Sequence, residues 1–475
     1  MEREWAISSV DLHLELHRSQ RPDGGLRAGL EAALRDAVRT GRLGPGTRLP
    51  SSRALAGDLG LARNTVADAY SQLVAEGWLT AERGSGTRVA ERVTADPGPA
   101  TTPPGPAPSR APRYTLVPGS PDLSAFPRSA WLVATRRALA AAPRAALGYG
   151  HPSGRPELRA ALAEYLARAR GVRADPDRIV VCDGFAEGLA LLARVLRAGR
   201  ARTVAVEEYG LPSARATITA AGLRLATLPV DGRGAVIEAA GRADALLLTP
   251  AHQFPVGAAL APARRTQAVA WARSTGGLVI EDDYDGEFRY DRQPVGAVQA
   301  LAPGHVVYAG SASKSLAPAF RLGWLVLPAP LAREVAAAQE LAAGPGSRLD
   351  QLTLAEFIVS GGYDRHVRRS RLAYRRRRDR LAVALAREAP QVRVTGIAAG
   401  LHALCELPPG LAEDHVVARA AARGLDVDGL AMYHAGAGAA TSPARPALVV
   451  GYGSPPEHAF SGAVARLCAA LNDPP

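Results

Sequence analysis

Lys314 is the only lysine among the 57 basic side chains of this 475-residue sequence; every other one is arginine. Arginine replaces lysine as a surface cation but cannot form an imine with an aldehyde, so the single amine stands out chemically. It lies in YAGSASKSLAPAFRLGW, directly after a strand-like apolar run, with Ser311 and Ser313 before it and Arg321 seven residues after it. Two hydroxyls and a guanidinium suit a phosphate. Thirty-two residues before the lysine, GLVIEDDYDGEFRY ends another apolar run with acids and a tyrosine. A carboxylate facing a pyridine nitrogen keeps it protonated, and a phenol can hydrogen-bond a ring 3-oxygen. An imine-forming amine, phosphate ligands, a carboxylate and a phenol are together the requirements for holding pyridoxal phosphate.

A second set of residues lies near the N-terminus. In LARNTVADAYSQLVAEGWL, Val66, Ala69, Tyr70 and Leu73 follow the spacing of one helix face, which turns Arg63, Asn64, Thr65 and Asp68 outward at the start of the helix. A recognition helix presents side chains to the major groove in this way. Arg63 and Asn64 can reach guanine or adenine edges, whereas Ser52, Thr65 and glycine amides suit phosphate oxygens.

The elements that position these groups fall on either side of a linker. Residues 91–113 are crowded with Pro, Ala and Thr and have no apolar periodicity, so they read as a semi-extended connection between a head of residues 1–90 and a domain of residues 114–475. In the head, LRAGLEAALRDAVRTGRL has helical spacing, Ser51 can cap a second helix, and LTAERGSGTRVA places Gly84-Ser85-Gly86 between two strand-like pieces. Three helices and a hairpin make a winged helix-turn-helix. Beyond the linker, RIVVCDG, TVAVEE, ALLLTP, GLVIEDD, HVVYAG and LGWLVLP alternate with helical stretches. That rhythm predicts an α/β domain with a largely parallel sheet and a site at the carboxyl ends of its strands.

The net charge of +12 says little about function, because residues 1–90 carry 12 arginines against 11 acids. The largest basic cluster, residues 361–380, has nine arginines against two aspartates. There Tyr363, Val367, Tyr374, Leu381 and Leu385 fall at helical spacing, so the arginines are expected to cover the solvated faces of an amphipathic helix. Cys182, Cys405 and Cys468 are scattered and odd in number, which supports neither a disulfide framework nor a metal site. Mean hydropathy near zero and the lack of a long apolar run argue against a membrane protein, and a cytoplasmic location is expected.

The head resembles the GntR family of transcription regulators, whose pattern GxLxxGxxLPSxRxLAxxLxxxRxTVxxAYxxLxxEGxLxxxxGxGTxV is matched almost throughout. The resemblance implies DNA contacts by Arg53, Arg63, Asn64 and Thr65 and by the wing residues Arg83, Gly84, Ser85 and Gly86. The larger domain resembles the class I aminotransferases, a type I, aspartate aminotransferase-like fold of pyridoxal phosphate-dependent transferases. The whole chain thereby resembles the MocR/GabR-type regulators. Stretches that carry the match are LGYGHPSGRPELRAALAEYL, CDGFAEGLALLARVL, LTPAHQFPVG, EDDYDGEFRY and SASKSLAPAFRLGW. By this resemblance Lys314 would be the Schiff-base lysine and Asp282 would pair with the pyridine nitrogen, with Asp283 the alternative one register away. Tyr284 would meet the 3-oxygen, Ser311, Ser313 and Arg321 the phosphate, and Tyr149 would reach the phosphate from a partner subunit of a homodimer.

Departures from the family pattern narrow the expected chemistry. Gly184-Phe185-Ala186-Glu187-Gly188 replaces GFQQGL, which leaves backbone amides to support the phosphate. EEYGLP replaces EDPGY, so Leu211 stands at the place of the ring-stacking aromatic, with Tyr209 as a substitute. ALVVGYG puts Val449 where aminotransferases carry the carboxylate-binding arginine, and Arg445 is the nearest candidate in sequence. Loss of a bidentate clamp removes much of amino-acid orientation. The expected function is a pyridoxal phosphate-binding transcription regulator that binds a double-stranded DNA operator and senses an amine, an amino acid or the cofactor itself, with transamination weak at most. The alternatives are a working aminotransferase carrying a DNA-binding head and a DNA-binding dimer whose larger domain is only a scaffold.

Overall fold

The computed structural model describes residues 25–82, 86–91, 113–290, 295–342, 344, 346–436 and 446–472. The chain divides into two compact units, residues 1–109 and 110–475. Apart from Glu91 and Arg113, the expected linker lies outside the described residues.

In the first unit, helices α1 (Leu26–Arg39), α2 (Ser52–Leu59) and α3 (Arg63–Ala75) precede an antiparallel pair, β1 (Leu79–Glu82) and β2 (Gly86–Val89). The Ser51 hydroxyl caps α2 by accepting from the Ala54 amide at 3.2 Å, and Gly60 ends the helix in the left-handed region. Val66, Ala69, Tyr70 and Leu73 are buried in one cluster with Leu30, Leu34, Leu55 and Val89. Each such leucine or valine contributes about 1.5–3 kcal/mol on burial. Tyr70 donates to the Pro50 carbonyl at 3.0 Å, which ties α3 to the turn before α2.

The second unit is built on seven strands: β3 (Ile179–Cys182), β4 (Thr203–Glu207), β5 (Arg224–Leu228), β6 (Ala245–Leu248), β7 (Leu278–Asp282), β8 (Val306–Ser311) and β9 (Gly323–Val326). Their order is β3-β9-β8-β7-β6-β4-β5, parallel throughout except that β9 runs antiparallel to both its neighbours. All six expected strands are present. The edge strand β5 had no clear sequence pattern, because four of its five residues remain at least partly exposed.

Alternation along these strands feeds two separate cores. Val180, Val204, Val206, Ile280 and Val307 enter one, and Ala205, Leu246, Leu248, Val279 and Val306 the other. Helix α4 (Pro156–Arg170) precedes β3, helices α5 (Phe185–Ala198) and α6 (Pro212–Ala220) follow β3 and β4, and the long helix α7 (Gly362–Glu388) leads to a four-stranded antiparallel sheet. In α7 the residues at helical spacing are buried as expected, but Arg377 is buried as well, paired with Asp122 at 2.6 Å and Glu457 at 2.9 Å. One arginine of the cluster therefore holds the fold rather than the solvent face.

Candidate functional site

The carboxyl ends of β3, β4, β6, β7 and β8 open into a cavity of about 320 Å³. Lys314, Asp282, Tyr284, Ser311, Ser313, Arg321, Gly184, Phe185 and Ala186 all line it. Tyr149 does not, and its side chain is 99 % exposed.

Lys314 follows β8 in a short turn, and its amine donates a hydrogen bond to the Gly119 carbonyl. Burial pushes the amine's pKa down, against the opposing pull of the Asp282 and Asp285 carboxylates. A depressed pKa raises the fraction of neutral amine, the form that attacks a carbonyl. The turn is anchored from α7: Tyr363 donates to the Ser315 hydroxyl at 2.7 Å, and His366 Nε2 lies 2.6 Å from the Ser315 carbonyl. Gly119, Tyr363 and His366 carried no chemical motif of their own, which is why spacing alone did not find them.

Strand alternation separates the two adjacent aspartates. Asp283 accepts from Arg170 at 2.6 and 2.9 Å and from the Tyr308 hydroxyl at 2.7 Å, on the side away from the cavity. Asp282 faces the cavity, and burial, reinforced by the Asp283 charge, holds its carboxyl well above the usual range while Lys314 pulls it down. Tyr284 lies 3.0 Å from His252 Nδ1, which in turn lies 2.8 Å from Asp285. A third acid, Glu207, ends β4 in the cavity wall; burial pushes it up to about 7, and Thr249 and Gln253 donate to it.

The opposite end of the cavity suits an anion. Gly184 adopts φ +82 to turn the chain into α5, whose first amides have no acceptor within the helix. A Cβ on Gly323 would lie 2.8 Å from the Gly184 backbone, so the close approach of β9 to this turn requires glycine. Arg321 has φ 51, a conformation that costs a non-glycine residue roughly 1–2 kcal/mol. Glu187 accepts from the Asp183 amide, and its carboxylate is also within the electrostatic reach of Arg321.

Tyr209 and Leu211 both line the cavity, and the Tyr209 ring packs edge-on against His434 at 5.3 Å. Val449 is fully buried among Phe254, Leu404 and Tyr433, and Arg445 lies outside the described residues. Arg215 of α6 also lines the cavity, a residue the motif comparison did not single out. Its guanidinium donates to the carbonyls of Gly210, Tyr433 and His434 at 2.9, 3.0 and 3.2 Å.

In the first unit, Arg53, Arg63 and Asn64 are exposed, while Ser52 and Thr65 are half-buried. Arg63 and Asn64 open α3 without a side-chain cap, so the first amides of that helix also face outward. Gly86, at φ +88, begins β2 with the Arg48 side chain beside it. Arg83, Gly84 and Ser85 lie outside the described residues.

Residues 26–89 match the bacterial regulatory proteins of the gntR family, and residues 120–425 match aminotransferase class I and II. The pyridoxine biosynthesis transcriptional regulator PdxR of Corynebacterium glutamicum is 35% identical over 93% of this chain and 95% of its own length. The probable rhizopine catabolism regulatory protein MocR of Rhizobium meliloti is 34% identical over 82% and 83%. Among solved structures, the kynurenine aminotransferase of Pyrococcus horikoshii superposes with a TM-score of 0.67 at 23% identity, covering 75% of this chain and 90% of that one. A multiple substrate aminotransferase from Thermococcus profundus gives 0.68 at 22% identity over 77% and 92%. Regulators with a GntR head bind DNA, and the fold of the second unit is that of aspartate aminotransferase-like, type I enzymes. The chain belongs to the MocR-type transcription regulators of the GntR family, in which a winged helix-turn-helix is joined to an aminotransferase class I domain.

Proposed function

We propose that this regulator holds pyridoxal 5'-phosphate in the cavity around Lys314 and that the cofactor is itself the effector. The donor set fits the group: one amine with a lowered pKa, a cavity-facing carboxyl at Asp282, a phenol at Tyr284, and at the far end hydroxyls, helix amides and Arg321. Bound there, pyridoxal phosphate supplies an aldehyde that an amine can capture and a pyridine ring that draws electron density. Lys314 holds it covalently, Asp282 faces the ring nitrogen and Tyr284 the 3-oxygen. Ser311, Ser313, Arg321 and the amides at Gly184, Phe185 and Ala186 bind the phosphate, and Tyr149 reaches it from the partner subunit of a homodimer.

The observation that carries sensing rather than turnover is Val449, buried in apolar contact at the place where an aminotransferase needs its carboxylate-binding arginine. Among the described residues, Arg215, which lines the cavity beside Tyr433, is turned to three carbonyls. The relative from C. glutamicum is named for control of pyridoxine biosynthesis, and a phosphorylated pyridoxine derivative suits this cavity as an effector. The head binds operator DNA through Arg63 and Asn64 at base edges and through Ser52, Arg53, Thr65 and the wing residues at phosphates. A head of near-neutral charge gains affinity from bivalent attachment in a cytoplasmic dimer. Absorbance tests the cofactor assignment: purified protein loaded with pyridoxal phosphate and dialysed retains a visible band that Lys314→Ala abolishes. An unchanged band in that variant would refute it.

A further inference from the structure

The Tyr284 hydroxyl does not meet the cavity alone. Its oxygen lies 3.0 Å from His252 Nδ1, and the same nitrogen lies 2.8 Å from Asp285 Oδ2. The side chains of His252 and Asp285 are 3 % and 1 % exposed and in direct contact, and a Cβ on Gly400 would fall 2.4 Å from both of them, so the pair is tightly enclosed. The His402 ring packs at a tilt with its centroid 4.8 Å from that of His252, and its Nε2 meets the Pro255 carbonyl. The donor atoms of His252, Asp285 and His402 lie within 4.8 Å of one another. They do not form a metal site: two ligands of one tetrahedral ion at 2.0–2.2 Å stand about 3.4 Å apart, whereas Nδ1 and Oδ2 are at hydrogen-bond distance.

A neutral imidazole nitrogen carries a proton or a lone pair, not both. An ionised carboxylate only accepts, so the contact with Asp285 places the proton on Nδ1. Nδ1 then cannot take the Tyr284 proton, and by donating to Asp285 it occupies the carboxylate that is the phenol's other acceptor in this wall. We propose that His252, its tautomer fixed by Asp285, is a positioning residue that directs the Tyr284 hydroxyl proton into the cavity, toward the 3-oxygen of the bound cofactor. The inference rests on the cofactor assignment above. Around the three residues stand Asp282, Lys314 and His402 from the cavity wall, and Tyr290 and Tyr452, whose hydroxyls both donate to the Gly400 carbonyl.

A hydrogen bond donated to an anionic ring oxygen stabilises the form in which that oxygen shares no proton with the adjacent nitrogen. Its loss raises the pH at which the visible band changes. The test is a pH titration of that band in loaded wild type, Tyr284→Phe, His252→Leu, His252→Asn and the double variant Tyr284→Phe/His252→Leu. H252L should raise the midpoint by about one unit, as expected for a lost charge-assisted hydrogen bond, and Y284F by at least as much. H252N, whose amide nitrogen occupies the Nδ1 position, should stay near wild type, and the double variant should add nothing to Y284F. Should H252L fail to fold, His252→Gln, which keeps the bulk but leaves the Nδ1 position empty, takes its place with the same expected shift. A wild-type midpoint in H252L or H252Q, or full additivity with Y284F, overturns the role of His252. A wild type with no retained band overturns the cofactor assignment together with it.

Discussion

Arg170 and Asp283 form a two-point ion pair, 2.6 and 2.9 Å long, with side chains only 3 % and 1 % exposed. The pair uses up one of two adjacent aspartates and leaves Asp282 as the carboxyl facing the cavity. Removing one partner of a buried pair strands the other, at a cost of about 3–5 kcal/mol. Asp283→Asn should therefore lower unfolding stability by that order in urea while keeping the visible cofactor band. Asp282→Asn should do the reverse, keeping the midpoint of unfolding and weakening or shifting the band. Swapped phenotypes would reassign the ring partner.

The proposed DNA contacts of the head divide into base contacts and backbone contacts. Arg63→Ala should lose about 1–3 kcal/mol of discrimination between operator and random duplex, whereas Ser52→Ala should weaken both alike. Anisotropy titrations with the two duplexes measure this, and equal losses for Arg63→Ala would remove its base-reading role.

Tyr149 is 99 % exposed and absent from the cavity of its own chain. If it serves the partner's phosphate, Tyr149→Phe should raise the cofactor dissociation constant about 10-fold or more, the worth of a hydrogen bond to a charged group. The retained mass by light scattering should stay that of a dimer. Unchanged affinity would leave the exposed phenol without that role.

Glu207, Glu281 and Glu287 are each pushed up to about 7 by burial. Because the folded state holds these protons more tightly than the unfolded one, the carboxyls cost no stability below about pH 4.5. The cost builds as pH rises from there to about 7, reaching roughly 3 kcal/mol for a shift of this size. Glu207→Gln removes one such group and should flatten the fall in urea stability between pH 5 and 7.5. A slope equal to that of wild type would contradict the raised pKa.

Much of this arrangement was legible in the sequence because it rests on local pattern. Apolar runs ending in polar residues located six of the seven strands of the main sheet, and the single amine located the cavity. The face of α3 followed from four residues at helical spacing. What stayed hidden depends on contacts between distant segments. Gly119 meets Lys314 across 195 positions, Ser315 is fixed by Tyr363 across 48, and Tyr284 meets His252 across 32. Asp282 and Asp283 differ only in strand register, which the ion pair with Arg170 reveals and spacing cannot. Arg377 read as a solvent-facing arginine because nothing local announces that Asp122 and Glu457 wait beneath it.

The most direct measurement is operator affinity with and without pyridoxal 5'-phosphate, for wild type and Lys314→Ala, on a duplex obtained by in vitro selection. A ligand shifts the DNA-bound population only by its differential affinity for the two states, and in the proposed function that difference is made through one amine. Wild type should show a change of tenfold or more in dissociation constant on adding the cofactor, and Lys314→Ala none. Identical wild-type curves with and without pyridoxal phosphate, or an equal response in Lys314→Ala, would contradict the claim that this regulator senses the cofactor through Lys314.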